Sequence, residues 1–267
     1  MPISTAQPSV QLYAVRDALS HDLEGTLARV ADIGYTQVEA FAFVEQAPRL
    51  RRALDAAGLT APTAHASIID VEDPEPVLAA AQEIGVELLI DPFLGPDLWR
   101  SAGAVARLAD KANTAAERAA QAGLALGYHN HSWETSTMIA GRHALEVFAD
   151  ALEPGVALEV DTFWATFGGA DAPALLRRLG DRVRAIHVKD GVMPATPPQL
   201  PDDVEQITAL MAEYTARQQP AGAGDVDVAA ALRAAPQALR VVEFDDYAGD
   251  IFEGIAASLA WLREHDV

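Results

Sequence analysis

The chain has 267 residues, half of them apolar, with 19 basic against 39 acidic side chains, a net charge of −20, and no cysteine. Without a thiol there can be no disulfide scaffold, cysteine-ligated metal or cysteine nucleophile. The apolar content supports a large core rather than disorder, and the charge repels phosphate backbones and anionic surfaces, so neither nucleic acid nor a membrane is expected as a partner. The opening MPISTAQPSV has neither a basic nor an apolar segment of a secretory signal, and no apolar run reaches membrane-spanning length; a soluble, cytoplasmic globule is expected.

Strand-like and helix-like runs alternate along the chain. Strands are expected at Val10–Val15, Tyr35–Ala42, Thr60–Ala66, Val86–Leu94, Leu124–His131, Val156–Asp161, Val183–Lys189 and Leu239–Phe244. Helices are expected at Asp22–Gly34, Glu45–Gly58, Glu75–Gly85, an Ala-rich stretch up to Gly123, Arg142–Leu152, Ala172–Gly180, Asp225–Ala235 and Ile251–Glu264. Strict β–α alternation, with no G-x-G-x-x-G after any strand, favours a single-domain (β/α)8 TIM barrel over an open doubly wound sheet. An insertion at about 191–224 follows strand seven: a Pro-rich MPATPPQLP, a helical run Asp203–Gln218, then PAGAG. It is either a tolerated surface insertion or, since it leaves the face where barrel active sites lie, a lid; the lid is the expectation taken, with Met193, Ile207, Leu210 and Met211 on its buried face, unless that stripe only packs on the barrel, and a hinge at Gly222–Gly224.

The strand ends concentrate the chemistry. Glu134 to Asp161 is 27 residues, Asp161 to His187 is 26, and His187 to Glu243 is 56, one unit plus the insertion. A single strand-end acid is ordinarily a helix N-cap and a single histidine ordinarily structural. Glu134, Asp161, His187 and Glu243 at whole-unit spacing instead converge on one mouth, where their charges call for a divalent cation: Mn²⁺ first, with Mg²⁺, Co²⁺ and Zn²⁺ compatible. Lys189 is aimed at the same mouth by strand alternation, to hold a substrate oxygen or to pair with Asp161. His65 and Glu39 end strands three and two, as pocket lining or structural partners.

The strings QLYAVRDAL, GYHNHSWE, LEVDTFWATFGGAD and IHVKD, with Glu243 in the last strand, resemble the xylose-isomerase-like barrel superfamily, and more closely its sugar (phosphate) isomerase/epimerase branch. The resemblance covers nearly the whole chain. It implies one divalent metal held by Glu, Asp, His and Glu, and proton transfer next to a carbonyl through an enediolate. Asp161, His187 and Glu243 match metal ligands, and Glu243 also one acid/base carboxylate; the proton-transfer pair that the resemblance implies is then Glu134 and Glu243, with His129 or His131 as substitute. Ketose-epimerase relatives place the first ligand three residues before an Asn, which here is Gly127; Glu134, His129 and His131 are the available substitutes. Trp164 stands where those relatives often carry a His, and Ala223 where they often carry a Glu.

The expected activity is therefore a metal-dependent sugar isomerase or epimerase, with a lyase of the same fold or a non-catalytic binding subunit as alternatives. DNA-repair endonucleases share the barrel, but the charge argues against that activity. The loops after strands seven and eight carry Pro and acid rather than a Gly-rich phosphate cradle, so the expected partner is an unphosphorylated sugar or keto-sugar. Through the insertion, a second copy of the chain could also dock to give a homo-oligomer.

Overall fold

In a computed structural model, residues 7–199, 201 and 203–265 are described. Eight parallel strands close into a barrel: β1 Ser9–Gln11, β2 Gln37–Phe41, β3 Thr60–His65, β4 Leu88–Asp91, β5 Ala125–His129, β6 Val156–Asp161, β7 Val183–Val188 and β8 Leu239–Val242. Each pairs with its neighbour in sequence, and β8 closes onto β1 through Ser9 opposite Val241. The outer helices are α1 Leu23–Ile33, α2 Ala47–Ala57, α3 Glu75–Ile84, α4 Ala102–Gln121, α5 Ala144–Ala151, α6 Ala172–Leu179, α7 Val228–Ala234 and α8 Ile251–His265. The chain is thus a single-domain TIM barrel. Among the described residues, no helix is long and apolar enough to cross a membrane.

Local chemistry sets the element ends. Asp22 caps α1 by accepting from the Gly25 amide at 2.9 Å. Helices α2 and α3 stop at Gly58 (φ 69°) and Gly85 (φ 82°), left-handed positions that disfavour a side chain. The first strand is shorter than the sequence suggests, because Leu12–Val15 is a 3₁₀ turn begun by the Gln11 side chain, which accepts from the Tyr13 amide. Strand β4 ends at Asp91, whose carboxylate accepts from the amides of Ile68 and Ile69, both at 2.8 Å, and so holds the β3 loop beside it.

Inside the barrel, side chains two apart on a strand stack in layers. Leu88, Ile90, Ala157, Ala185, Leu239 and Val241 form an aliphatic floor, separate from the larger core between the sheet and its helices. One step further along the same strands come Glu159, His187 and Glu243, then Asp161 and Lys189.

The insertion is anchored at both ends. Asp190–Gly191 pairs antiparallel with Gln218–Gln219. Asp190 also accepts from the amides of Gly191, Gly222, Gly224 and Val226 at 2.8–3.0 Å. The hinge expected at Gly222–Gly224 is therefore a clamped turn: a Cβ on Gly224 would lie 2.3 Å from Asp190 Oδ1. Between these anchors, helix Val204–Thr215 lies over the mouth with Ile207 buried, and Met193, Leu210 and Met211 pack against the core as expected.

Candidate active site

The strand ends bring Asp161, His187, Glu243 and Lys189 into one buried group. Asp161 closes β6, and its Oδ1 accepts from the Trp164 amide at 2.7 Å, capping the short helix Thr162–Phe167. This leaves Oδ2 facing inward. His187 Nδ1 lies 2.7 Å from Glu243 Oε2 and 3.9 Å from Asp161 Oδ2. Lys189 Nζ reaches Asp161 Oδ2 at 2.9 Å, Glu243 Oε2 at 2.5 Å and Asp245 Oδ2 at 2.9 Å. Lys189 is thus committed to carboxylates. Asp245 also accepts from Trp164 Nε1 at 3.2 Å and from Gln218 Nε2 at 2.8 Å, which ties the insertion to the β8 loop.

The electrostatics follow from burial and partners. Burial alone would lower His187 and raise Glu243. Against it, Glu159 and Glu243 hold the imidazole well above its ordinary range, and His187 and Lys189 hold Glu243 well below the usual carboxylate range. Burial raises Asp161 to about 6 against the opposing charges of Lys189 and His187. Burial, reinforced by Lys189, lowers His131 to about 3, so its ring is neutral near pH 7.

A divalent ion fits this chemistry. Asp161 Oδ2, His187 Nδ1 and Glu243 Oε2 are buried, face only one another and the Lys189 ammonium, and together offer two oxygens and a nitrogen within 4.8 Å of one another. That donor set suits a hard or borderline cation, and the Lys189 ammonium shows that the pocket accepts positive charge.

Glu134 is not brought to this set. The chain bends after His129, and Glu134 enters the short helix Trp133–Ser136, where it is fully buried. Its Oε1 accepts from the Tyr128 hydroxyl, and its Oε2 from the His131 amide at 2.9 Å. With no cation beside it, burial raises its pKa to about 8 despite these hydrogen bonds. Two other carboxylates, whose roles the sequence reading left open or missed, occupy the barrel axis. Glu39 Oε1 lies 2.8 Å from His187 Nε2 and accepts from Gln11 Nε2 at 2.7 Å. Glu159 Oε2 lies 2.6 Å from His65 Nε2 and 3.2 Å from His129 Nδ1. The signal for Glu159 was its position two residues before Asp161 on one strand, which puts both on the interior face.

Above the group, a cavity of about 400 Å³ is lined by Tyr13, Phe93, His65, His129, His131 and Glu243. A second of about 460 Å³, sharing Tyr13, Phe93, His131 and Asp245 with the first, runs between Trp133, Trp164 and the insertion helix at Ile207, Thr208 and Met211. Phe93 is half exposed at the shared rim, an apolar face available for stacking. The expected substrate-side residues His65, His129, His131 and Trp164 therefore all border this space.

Residues 27–265 match the xylose isomerase-like TIM barrel family. Solved structures of similar fold include a sugar phosphate isomerase/epimerase from Parabacteroides distasonis (20% identity, 96% of this chain and 95% of that one, TM-score 0.75). A probable 3-DHS dehydratase from Bacillus anthracis (10%, 96% and 98%, 0.68) and a D-allulose 3-epimerase from Methylomonas sp. (14%, 99% and 100%, 0.68) are also similar. At these identities the likeness is one of fold. Among curated proteins there is no significant sequence match.

Proposed function

Since this chain belongs to the xylose isomerase-like TIM barrel family, we propose that it is a divalent-metal-dependent isomerase or epimerase that moves a proton next to the carbonyl of an unphosphorylated sugar or keto-sugar. The observation that carries this reading is the buried, converging trio Asp161 Oδ2, His187 Nδ1 and Glu243 Oε2 beneath a cavity of sugar size. Those three residues would hold the ion, Mn²⁺ by the hardness of the donor set, and it would supply positive charge opposite the oxyanion that develops when the α-proton leaves. Glu243, held ionised and bordering the cavity, is the base. His131, neutral and with Nδ1 unpartnered, exchanges a proton on the side facing the aromatic wall, the role that the sequence reading gave first to Glu134. Lys189 holds Asp161, Glu243 and Asp245 in place, and the insertion helix keeps water from the reacting carbon. The acids Glu243, Asp245 and Asp246 on the cavity walls favour a neutral substrate over a phosphorylated one.

One observation favours a second reading. The groups bordering the cavity are one carboxylate and imidazoles rather than two like carboxylates, and such a set also suits a lyase, in which His65, held protonated by Glu39 and Glu159 despite its burial, protonates a departing β-oxygen. NMR of keto-sugars incubated in D₂O with enzyme and Mn²⁺ tests both. Deuterium entering next to the carbonyl with the skeleton intact supports isomerisation or epimerisation, whereas an unsaturated product supports elimination. EDTA should abolish exchange and Mn²⁺ or Co²⁺ restore it; full activity in metal-free enzyme would overturn the proposal.

A further inference from the structure

We propose that the barrel carries a second divalent-cation site, of the nitrogen-rich kind that zinc takes, inward of Asp161 and built from His65 Nε2, His129 Nδ1, Glu159 and His187 Nε2. The four side chains come from β3, β5, β6 and β7, and their ligand atoms lie within 4.8 Å of one another. Glu159 Oε2 stands 2.6 Å from His65 Nε2, 3.1 Å from His187 Nε2 and 3.2 Å from His129 Nδ1. The rings close around it, with centroids 5.1 Å apart for His65–His129, 4.4 Å for His129–His187 and 5.2 Å for His65–His187. Two ligands of one tetrahedral zinc, at bonds of about 2.0–2.1 Å, stand about 3.3 Å apart, so this is a ligand cage drawn slightly inward.

Hydrogen bonding alone accounts poorly for the arrangement. Nε2 of His65 and of His187 each face two carboxylate oxygens, Glu159 Oε2 at 2.6 and 3.1 Å and Glu39 Oε1 at 3.1 and 2.8 Å, and His129 Nδ1 adds a third nitrogen beside Glu159 Oε2, while Glu159 Oε1 and Glu39 Oε2 are buried with no hydrogen bond. A network built to orient His187 would spread its protons over those free acceptors, because leaving a buried polar atom unpaired is unfavourable. Glu39, fixed by Gln11, adds a neighbouring carboxylate that further offsets a dication's charge. Three imidazoles and one carboxylate match zinc or cobalt, whereas the trio on the other side of His187 is richer in oxygen and matches manganese or magnesium. His187 presents Nδ1 to Glu243 and Nε2 to Glu159 and Glu39, so with both sites filled its ring bridges them as imidazolate, its ring protons released to solvent. His65, the least buried of the four, borders the cavity and gives the ion a route in.

The site does not depend on which reaction the mouth performs, and its test reads metal rather than turnover. Full-length protein stripped with a chelator is dialysed against Zn²⁺, and bound metal is counted by mass spectrometry. A Co²⁺-loaded sample is followed by visible absorption, where nitrogen-rich tetrahedral sites absorb far more strongly than oxygen-rich sites of higher coordination. About two equivalents of zinc and strong cobalt bands are expected in the wild type. His129→Ala and Glu159→Gln should each fall to about one equivalent and lose the strong bands, while Asp161→Asn loses an equivalent and keeps them. Wild-type protein that binds no more than one zinc, lacks strong cobalt bands, or keeps both signals in Glu159→Gln would overturn the proposal. Loss of Mn²⁺-dependent deuterium exchange with these signals intact would count against the reaction instead.

Discussion

The floor and the mouth of the barrel are built from the same strands in the same period, yet they obey opposite rules. Along β6 the interior positions run Ala157, Glu159, Asp161, along β7 Ala185, His187, Lys189, and from β8 into its loop Leu239, Val241, Glu243. On these three strands the lower positions are aliphatic and need only close packing; the upper ones are ionisable and need specific partners. Gly127 shows where the boundary lies. A Cβ there would face Ile90 Cγ1 at 3.3 Å and Leu88 Cδ1 at 3.4 Å, so the glutamate that the resemblance would place at this position would enter the dry layer. The chain instead has its carboxylate at Glu159, opposite His129 in the ladder and one layer higher.

The largest effect should come from breaking the mouth without touching the floor. Asp161→Asn keeps an oxygen to cap the Trp164 amide but weakens the trio proposed to hold the metal, and the Lys189 pair. Turnover and metal affinity should each fall by at least ~100-fold, since changes to mere supporting partners of a metal already cost about 10–100-fold. The melting temperature should move little. Wild-type kcat/KM in this variant would place the chemistry elsewhere.

The reverse experiment puts a mouth residue in the floor. Leu239→Glu buries a carboxylate opposite Ala185 in the aliphatic cluster with Leu88, Ala157 and Val241, and should destabilise the fold by about 3–5 kcal/mol in urea titrations at pH 7. The loss should shrink toward pH 4, where the carboxyl is neutral. A variant as stable as the wild type would mean that the floor is not dry.

Much of this contrast was legible in the sequence. Strand alternation alone aims Asp161, His187, Lys189 and Glu243 at one end, and the eight β–α units fix the barrel. Val156–Asp161 matches its expected limits because it is flanked by turns on a fully buried strand. Glu134 was not legible, because unit spacing counts residues along the chain and cannot see the bend after His129 that turns this side chain toward Tyr128. Glu39 was visible as a strand end but not as a partner, since its contact with His187 spans 148 positions and depends on barrel closure. The Asp190 clamp was hidden for a similar reason: a Gly-Ala-Gly run looks flexible until the acid that binds its amides is found on another segment.

A smaller effect should follow from removing the roof above the mouth. Replacing residues 194–215 by a short Gly/Ser linker, with Gln218 and the Asp190 clamp retained, keeps Asp245 held and should leave folding and metal content unchanged. Turnover should drop about tenfold as water reaches the cavity between Trp164 and Met211. Unchanged turnover together with an unchanged oligomeric state would reduce the insertion to surface decoration.

The smallest effect compares two buried glutamates with opposite surroundings. Glu243 sits against His187 and Lys189 and stays ionised; Glu134 sits against Tyr128 and a backbone amide, and burial raises its pKa to about 8. Because the folded state of Glu134 binds its proton more tightly than the unfolded chain, folding is favoured while that proton is held. The contribution is constant below the unfolded value of 4.5, declines as pH rises from there toward about 8, and is lost above it. The decline cannot exceed about 1.4 kcal/mol per pH unit for one proton. Glu134→Gln keeps a neutral group of the same shape beside Tyr128 and should flatten the stability profile between pH 5 and 8, measured by urea unfolding at half-unit steps. If the slope in that window is the same in both proteins, Glu134 is ionised in the fold, and its burial against Tyr128 does not set its charge.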